Sequence, residues 1–325
     1  MMCPGRAAAS LVACLAAFDL GTGDAAEPST AETAAPAEFR IEAEPIALVP
    51  DRLAGLEAAG AWVLSSSHPS FGGISGLARR GGGTGLRAVT DRGRLVAFGP
   101  LPAPGEAGTL AGRLAALPGA ADAAAAKLSH DAEALAEAGG RLWVAFEHDH
   151  RIGAAVAPAQ PTRPPSFGSL APNAGIEGLA TVATPQGEAL LAITEDAGED
   201  GARVFLLAPG GDLRAEGTLP RVSRHLVTGA DTGPDGRIYL VLRHWSPETG
   251  VSIRIRRYAL AGTPPMPDPA SMEELAAFGP DSGIDNMEGI ALTTGPDGAM
   301  RHTIVADDNF NPLQRTVIAE FVVTR

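Results

Sequence analysis

"DNMEGIALTTGPDGAMRHTIVADD", residues 285–308, decides the fold. An acidic start leads into a largely apolar run, Gly-Pro-Asp-Gly marks a tight turn, and a second apolar run ends on two aspartates. Two short apolar runs joined by such a turn read as an antiparallel hairpin. In a hairpin the start of the first strand and the end of the second lie side by side, so acids at both ends of this segment share one rim.

The segment is one of five copies of a unit. The others are "GGISGLARRGGGTGLRAVTDRG" from Gly72, "HDAEALAEAGGRLWVAFEHD" from His130, "AGIEGLATVATPQGEALLAITED" from Ala174 and "RHLVTGADTGPDGRIYLVLRH" from Arg224. From Ser75 to Glu288 the four intervals average about 53 residues, a spacing near that of propeller blades. Third strands follow in "ARVFLLAP" (202–209) and "SIRIRRYAL" (252–260), and 40 glycines and 27 prolines suit a turn-rich chain. The pattern predicts an all-β protein, a β-propeller of five or six blades, with a two-domain β-sandwich as the alternative. The C-terminal "RTVIAEFVVTR" and the N-terminal "FRIEAEPIALV" are both strand-like and are expected to close the ring in one blade.

Aligning the units pairs Ser75 with Asp91, Glu133 with Glu147, Glu177 with Glu195, Thr228 with Arg243 and Glu288 with Asp307. If each first strand lines the axis, these residues converge on one mouth of a central channel. Carboxylates crowded there repel one another, which raises their pKa values and favours a hard divalent cation such as calcium. The plainer reading is that they tie neighbouring blades together by hydrogen bonds.

With 38 acids against 25 bases the formal net charge is -13, which disfavours nucleic acid and anionic membranes as partners. Residues 1–26 read as an export signal: one basic residue, Arg6, then the apolar stretch 7–18, too short to span a bilayer. "LVAC" at 11–14 resembles a lipobox that would lipidate Cys14, and ordinary secretion explains the segment equally well. Residues 27–38 form a linker and 39–325 the folded domain, expected to be an exported, periplasmic or extracellular monomer. Both cysteines, Cys3 and Cys14, fall in the signal. The domain therefore has no disulfide, thiolate metal site or cysteine nucleophile.

"FGGISGL", "AVTDRG", "DAEAL" with "LWVAFE", "NAGIEGLA" with "AITED", "DNMEGIAL" and "VADDNFNPLQRT" together resemble the bacterial phytase-like family, described as esterase-like activity of phytase. The matches run from Phe71 to Thr316 in the family's order. The resemblance implies an exported propeller acting on a small-molecule ester or phosphate ester. Together with the acid ring it points to metal-assisted hydrolysis. Glu177, Glu195, Glu288, Asp307 and Asp308 are the candidate calcium ligands, and Glu133 and Glu147 are further ligands or a general base. Arg92 and Arg243 are placed to clamp substrate oxygens or to bridge into the acids, His68 to reach the mouth as acid or base, and Asn173, Asn286 and Asn309 to bind substrate. The family often carries a Glu-Arg pair near the fourth repeat, whereas here "VLRHWSPETG" leaves Arg243 without a preceding acid. The competing class is a non-catalytic ligand- or protein-binding propeller whose acids hold a structural metal.

Other motifs carry less. "GISGL" lacks the final glycine spacing of a nucleophile elbow, and "RRGGGTG" lacks the Lys-Ser/Thr of a phosphate loop. "DTGPDG" and "TTGPDG" read as turns. His148 and His150 would share one face of an extended strand, or lie in a solvated loop. Trp143 and Trp245 are expected to pack between blades, with Trp245 near the ligand as the variant reading.

Overall fold

The computed structural model of the chain describes residues 36–79, 85–118, 130–156, 161–171, 174–195 and 200–324. The signal, its lipobox and Asn173 lie outside these. The described residues are mainly β-strands joined by turns, with short 3-10 helices at Pro165–Ser169 and Pro269–Ser271.

Each repeat begins an antiparallel sheet. The first contains Ile74–Arg79, Leu86–Thr90, Arg94–Phe98 and Gly108–Ala116. The second contains Ala132–Ala138, Arg141–Phe146 and Arg151–Ala154, and the third Ile176–Thr184, Gly187–Thr194, Ala202–Leu207 and Leu213–Leu219. The fourth runs from Leu226–Thr232 through Ile238–Ser246 and Gly250–Tyr258 to Glu273–Phe278. The fifth contains Met287–Thr294, Met300–Ala306 and Thr316–Val323 and is completed by Leu56–Ser65. The two Gly-Pro-Asp-Gly segments are turns, closed by backbone bonds from Gly236 to Gly233 (2.9 Å) and from Gly298 to Gly295 (3.0 Å).

The first strands form a closed ring: Ile74–Arg79 packs on Ala132–Ala138, that on Ile176–Thr184, then Leu226–Thr232, then Met287–Thr294, which returns to Ile74–Arg79. Five hydrophobic clusters fill the spaces between consecutive sheets, so the core is distributed around the ring. A strand covered on both faces needs apolar side chains at every position, which is why Ala189 to Thr194 are all buried and read as an unbroken apolar run. This is a β-propeller arrangement.

Ring closure differs from the expectation in one respect. The C-terminal strand pairs with Leu56–Ser65, not with Ala37–Pro45. The latter lies outside, antiparallel to both Leu56–Ser65 and Gly108–Ala116, and joins the fifth and first sheets into one nine-stranded sheet. The segment 37–45 alternates buried Ile41 and Ala43 with exposed Glu42 and Glu44, the pattern of a strand with one solvated face.

Candidate functional site

The five first strands share one irregularity. The pairing register slips once per hairpin, between Ile74 and Gly76, Ala132 and Ala134, Ile176 and Gly178, Val227 and Gly229, and Met287 and Gly289. The residues skipped are Ser75, Glu133, Glu177, Thr228 and Glu288, the members of the repeat alignment. A β-bulge leaves one residue without a ladder partner and redirects its side chain. Here Ser75, Glu133, Glu177 and Glu288 line one narrow central cavity.

The small residue after each bulge has a separate reason. A Cβ on Gly289 would meet Leu77 of the first sheet at 2.9 Å, and one on Gly229 would collide with the carbonyl oxygen of Glu288. Glu-Gly therefore combines a side chain aimed at the axis with a gap that admits the neighbouring strand.

The partner residues stand beside them as the hairpin geometry requires. The amides of Asp91, Glu147, Glu195 and Asp307 donate to the carbonyls of Gly73, Asp131, Gly175 and Asn286 at 2.8–3.1 Å, and Arg243 sits opposite Leu226. Glu177, Glu288 and Asp307 are buried, and Glu133, Glu195 and Arg243 are half-buried.

Arg243 enters the ring from the fourth sheet. Its Nη1 donates to Glu288 Oε1 (2.6 Å) and to Asn286 Oδ1, while Nη2 reaches Glu195 Oε1 at 3.4 Å. Asn286 Nδ2 donates to the same Glu288 oxygen (2.9 Å). One guanidinium thus links acids of the third and fifth sheets, and its acid partners come from neighbouring units instead of from its own strand.

Burial and mutual repulsion hold the carboxyls protonated far above their ordinary range. Desolvation pushes Asp307 up to about 9, with Glu288, Asp91 and Asp308 adding to it against the amide of Asn309. Glu288 is pushed to about 7 by burial, with Arg243 and Asn286 opposing. Glu177 and Glu133 are raised well above normal, first by burial and then by neighbouring acids. Arg243 has its charged form disfavoured by burial, and Glu288, Glu195, Glu177 and Asp307 more than offset this.

The remaining candidates are distributed more widely. Asp308 accepts from the amides of Gly73 (2.8 Å) and Phe310 (3.0 Å) and from the Thr316 hydroxyl (2.8 Å), fastening the first sheet to the fifth. Arg92 is exposed and stacks on Phe310, its guanidinium carbon 3.3 Å from the ring centroid. His68 lies against Phe39 of the outer strand, ring centroids 5.0 Å apart. Outside the narrow cavity, Glu195, Arg243, Asn286 and Asn309 border a wider vestibule of about 630 Å³. Trp143 is buried as expected, but Trp245 is 62% exposed on the vestibule wall beside His244, not between blades. His148 and His150 fall in the turn after Phe146, not on a strand. The repeat alignment passes over Asp131, two residues before Glu133, whose carboxylate lies 3.3 Å from His148. The signal was the "HDAE" and "FEHDH" pair at the two ends of one hairpin.

Comparison with solved structures finds distant likenesses. A gluconolactonase from Xanthomonas campestris is 13% identical over 86% of this chain and 97% of that one, with a TM-score of 0.44. The PQQ-bound aldose sugar dehydrogenase of Streptomyces coelicolor is 15% identical over 89% and 99%, with a TM-score of 0.39. A search of curated proteins found no match. The model of one family matches residues 69–310, from just before the first hairpin to the loop after Asp307 and Asp308, and the chain belongs to that family, phytase-like, esterase-like activity of phytase.

Proposed function

We propose that the mouth of a five-bladed propeller is a hydrolytic site for ester bonds, in carboxylic or phosphoric esters of small molecules. The observation that carries this reading is the repeated bulge, which directs Glu133, Glu177 and Glu288 into one cavity beside Asp307 and Arg243. Such convergence of buried acids costs stability and is retained where charge or proton transfer is needed. Asp307, protonated up to about pH 9, can donate a proton to a leaving alkoxide, and Glu288, near 7, can take one from water. Arg243 offers a fixed positive charge to a developing oxyanion. Glu177, Glu195, Glu288 and Asp307 do not bring three ligand oxygens within mutual ligating distance; were their side chains to converge on a calcium ion, they would hold it as ionised ligands and the ion would supply Lewis-acid polarisation of the ester in place of their proton transfers. The family membership and the signal-like N-terminus support an exported enzyme. Among the described residues no helix is long and apolar enough to cross a membrane.

The test is turnover of nitrophenyl carboxylic and phosphoric esters by the chain with and without added calcium. Glu288→Gln is expected to reduce kcat by at least about 100-fold, the scale of a lost general base, with an unchanged circular dichroism spectrum. Undiminished turnover in that variant overturns the reading. The bridging of Glu195 and Glu288 by Arg243 favours a second reading, in which the acids are inter-blade anchors of a binding propeller. In that case no ester is turned over and Arg243→Met lowers the melting temperature more than it affects any chemistry.

A further inference from the structure

The second hairpin carries another group of donors beside the ring. Asp131 lies just before the strand Ala132–Ala138 and Glu147 just after Arg141–Phe146, and the Glu147 amide donates to the Asp131 carbonyl at 2.8 Å, which sets the two carboxylates next to each other. His148 follows with φ 55°, in the left-handed region that L side chains rarely adopt. That turn folds the imidazole back over both acids. His148 Nε2 lies 3.3 Å from Asp131 Oδ2 and 3.7 Å from Glu147 Oε2, and one donor atom from each residue lies within 4.8 Å of the other two.

The two separations, 3.3 and 3.7 Å, both exceed the usual N–H···O range of about 2.7–3.2 Å. A four-coordinate ion with bonds of about 2.0–2.2 Å has ligand-to-ligand edges of roughly 3.3–3.6 Å, close to both separations. The neighbouring polar groups are engaged elsewhere: Asp149 binds Arg151 (2.9 Å) and Arg163, and His150 Nε2 meets the Ala171 carbonyl at 3.0 Å.

We propose that Asp131, Glu147 and His148 form a second cation site, at the edge of the acid ring with which it shares Glu147, and selective for a borderline divalent metal of the zinc or cobalt type. One imidazole and two carboxylates suit such an ion better than calcium, which prefers six to eight oxygens. Three protein ligands leave a position for water or substrate, and the His148 side chain, 28% exposed, opens the site to solvent. The site borders the ring, because the Glu147 side chain packs where a Cβ on Gly175 would stand, 2.7 Å away and two residues before Glu177. The inference does not depend on ester hydrolysis.

The test uses the full chain, stripped of metal with a chelator and titrated with Co²⁺ followed by visible absorption. One equivalent is expected to give the intense bands of a four-coordinate site, displaced by Zn²⁺ and not by excess Ca²⁺. His148→Asn, in which asparagine tolerates the left-handed φ, and Asp131→Asn should each weaken Co²⁺ binding by at least about 100-fold, whereas Glu288→Gln should leave the spectrum intact. Melting temperatures close to that of the parent confirm that the variants fold. No tetrahedral spectrum in the parent chain overturns the proposal, as does a spectrum that survives both hairpin variants or disappears with Glu288→Gln. Because the readout is spectroscopic, failure of ester turnover leaves it standing.

Discussion

At the residue scale the Glu-Gly pairs carry two demands at once, and each can be tested separately. Gly289→Ala adds a methyl 2.9 Å from Leu77 Cβ and 3.0 Å from its nitrogen. Overpacking of this kind costs about 1–3 kcal/mol, to be read as a lower urea midpoint with an unchanged m-value. His302 is a different case. It is fully buried among Tyr239 and Phe321, ring centroids 6.0 and 6.1 Å away, and neither ring nitrogen has a hydrogen-bond partner among the described residues. His302→Phe removes two unsatisfied polar atoms at similar shape, and a gain of about 1–2 kcal/mol is expected in the same experiment. A loss would mean that the imidazole is bonded.

At the element scale the inter-sheet fastenings matter more than any single strand. Asp308 holds the first sheet to the fifth with three accepted hydrogen bonds. Asp308→Ala leaves two amides and a hydroxyl without their acceptor, for a cost of about 2–4 kcal/mol, and hydrogen exchange should quicken first at Gly73 and Phe310. Asp231 plays the corresponding part between the fourth and fifth sheets: its carboxylate accepts from the Leu292 amide at 2.7 Å, while burial raises its pKa to about 7. The outer strand Ala37–Pro45 bridges the same fifth-to-first boundary that Asp308 secures near the mouth.

For the whole molecule the titrating groups give stability a definite dependence on pH. Glu288 and Asp307 have folded-state pKa values of about 7 and about 9, above their unfolded values, so the folded chain retains protons that the unfolded chain releases. Their contribution is complete below about pH 4 and is lost progressively above it, as pH rises to about 7 for Glu288 and about 9 for Asp307. His302 runs the other way. Burial lowers it to about 3, so the unfolded chain takes up its proton first and stability falls as pH drops from 6.5 toward 3. In calcium-free buffer the melting temperature is expected to fall between pH 6.5 and 9, with calcium restoring it most at the alkaline end. His302→Phe should flatten the acid limb alone. A melting temperature that rises steadily to pH 9 without calcium would contradict the burial of these acids.

How much of this was legible in the sequence follows from the range of the interactions. Strand–turn–strand units are local: apolar runs, Gly-Pro-Asp-Gly turns and a period of about 53 residues are visible without neighbours, and so are the acids at the two ends of each hairpin. The all-β class and the candidate residues Glu133, Glu177, Glu288 and Asp307 were therefore readable from local pattern. The register slips were not, because a bulge is defined only by the partner strand, although all five fall at the aligned position. Nor could sequence alone choose Leu56–Ser65 over Ala37–Pro45 as the closing strand, since both are strand-like and only ring geometry separates them. The insertion of Arg243 between Glu195 and Glu288, the stacking of Arg92 on Phe310 and the approach of His148 to Asp131 join residues that are distant in sequence or turned by an unusual φ. The chain's local pattern was enough for the repeated unit and for the acids at its two ends. The tertiary structure decided which side chains meet, because contact across a ring is set by closure and not by chain neighbours.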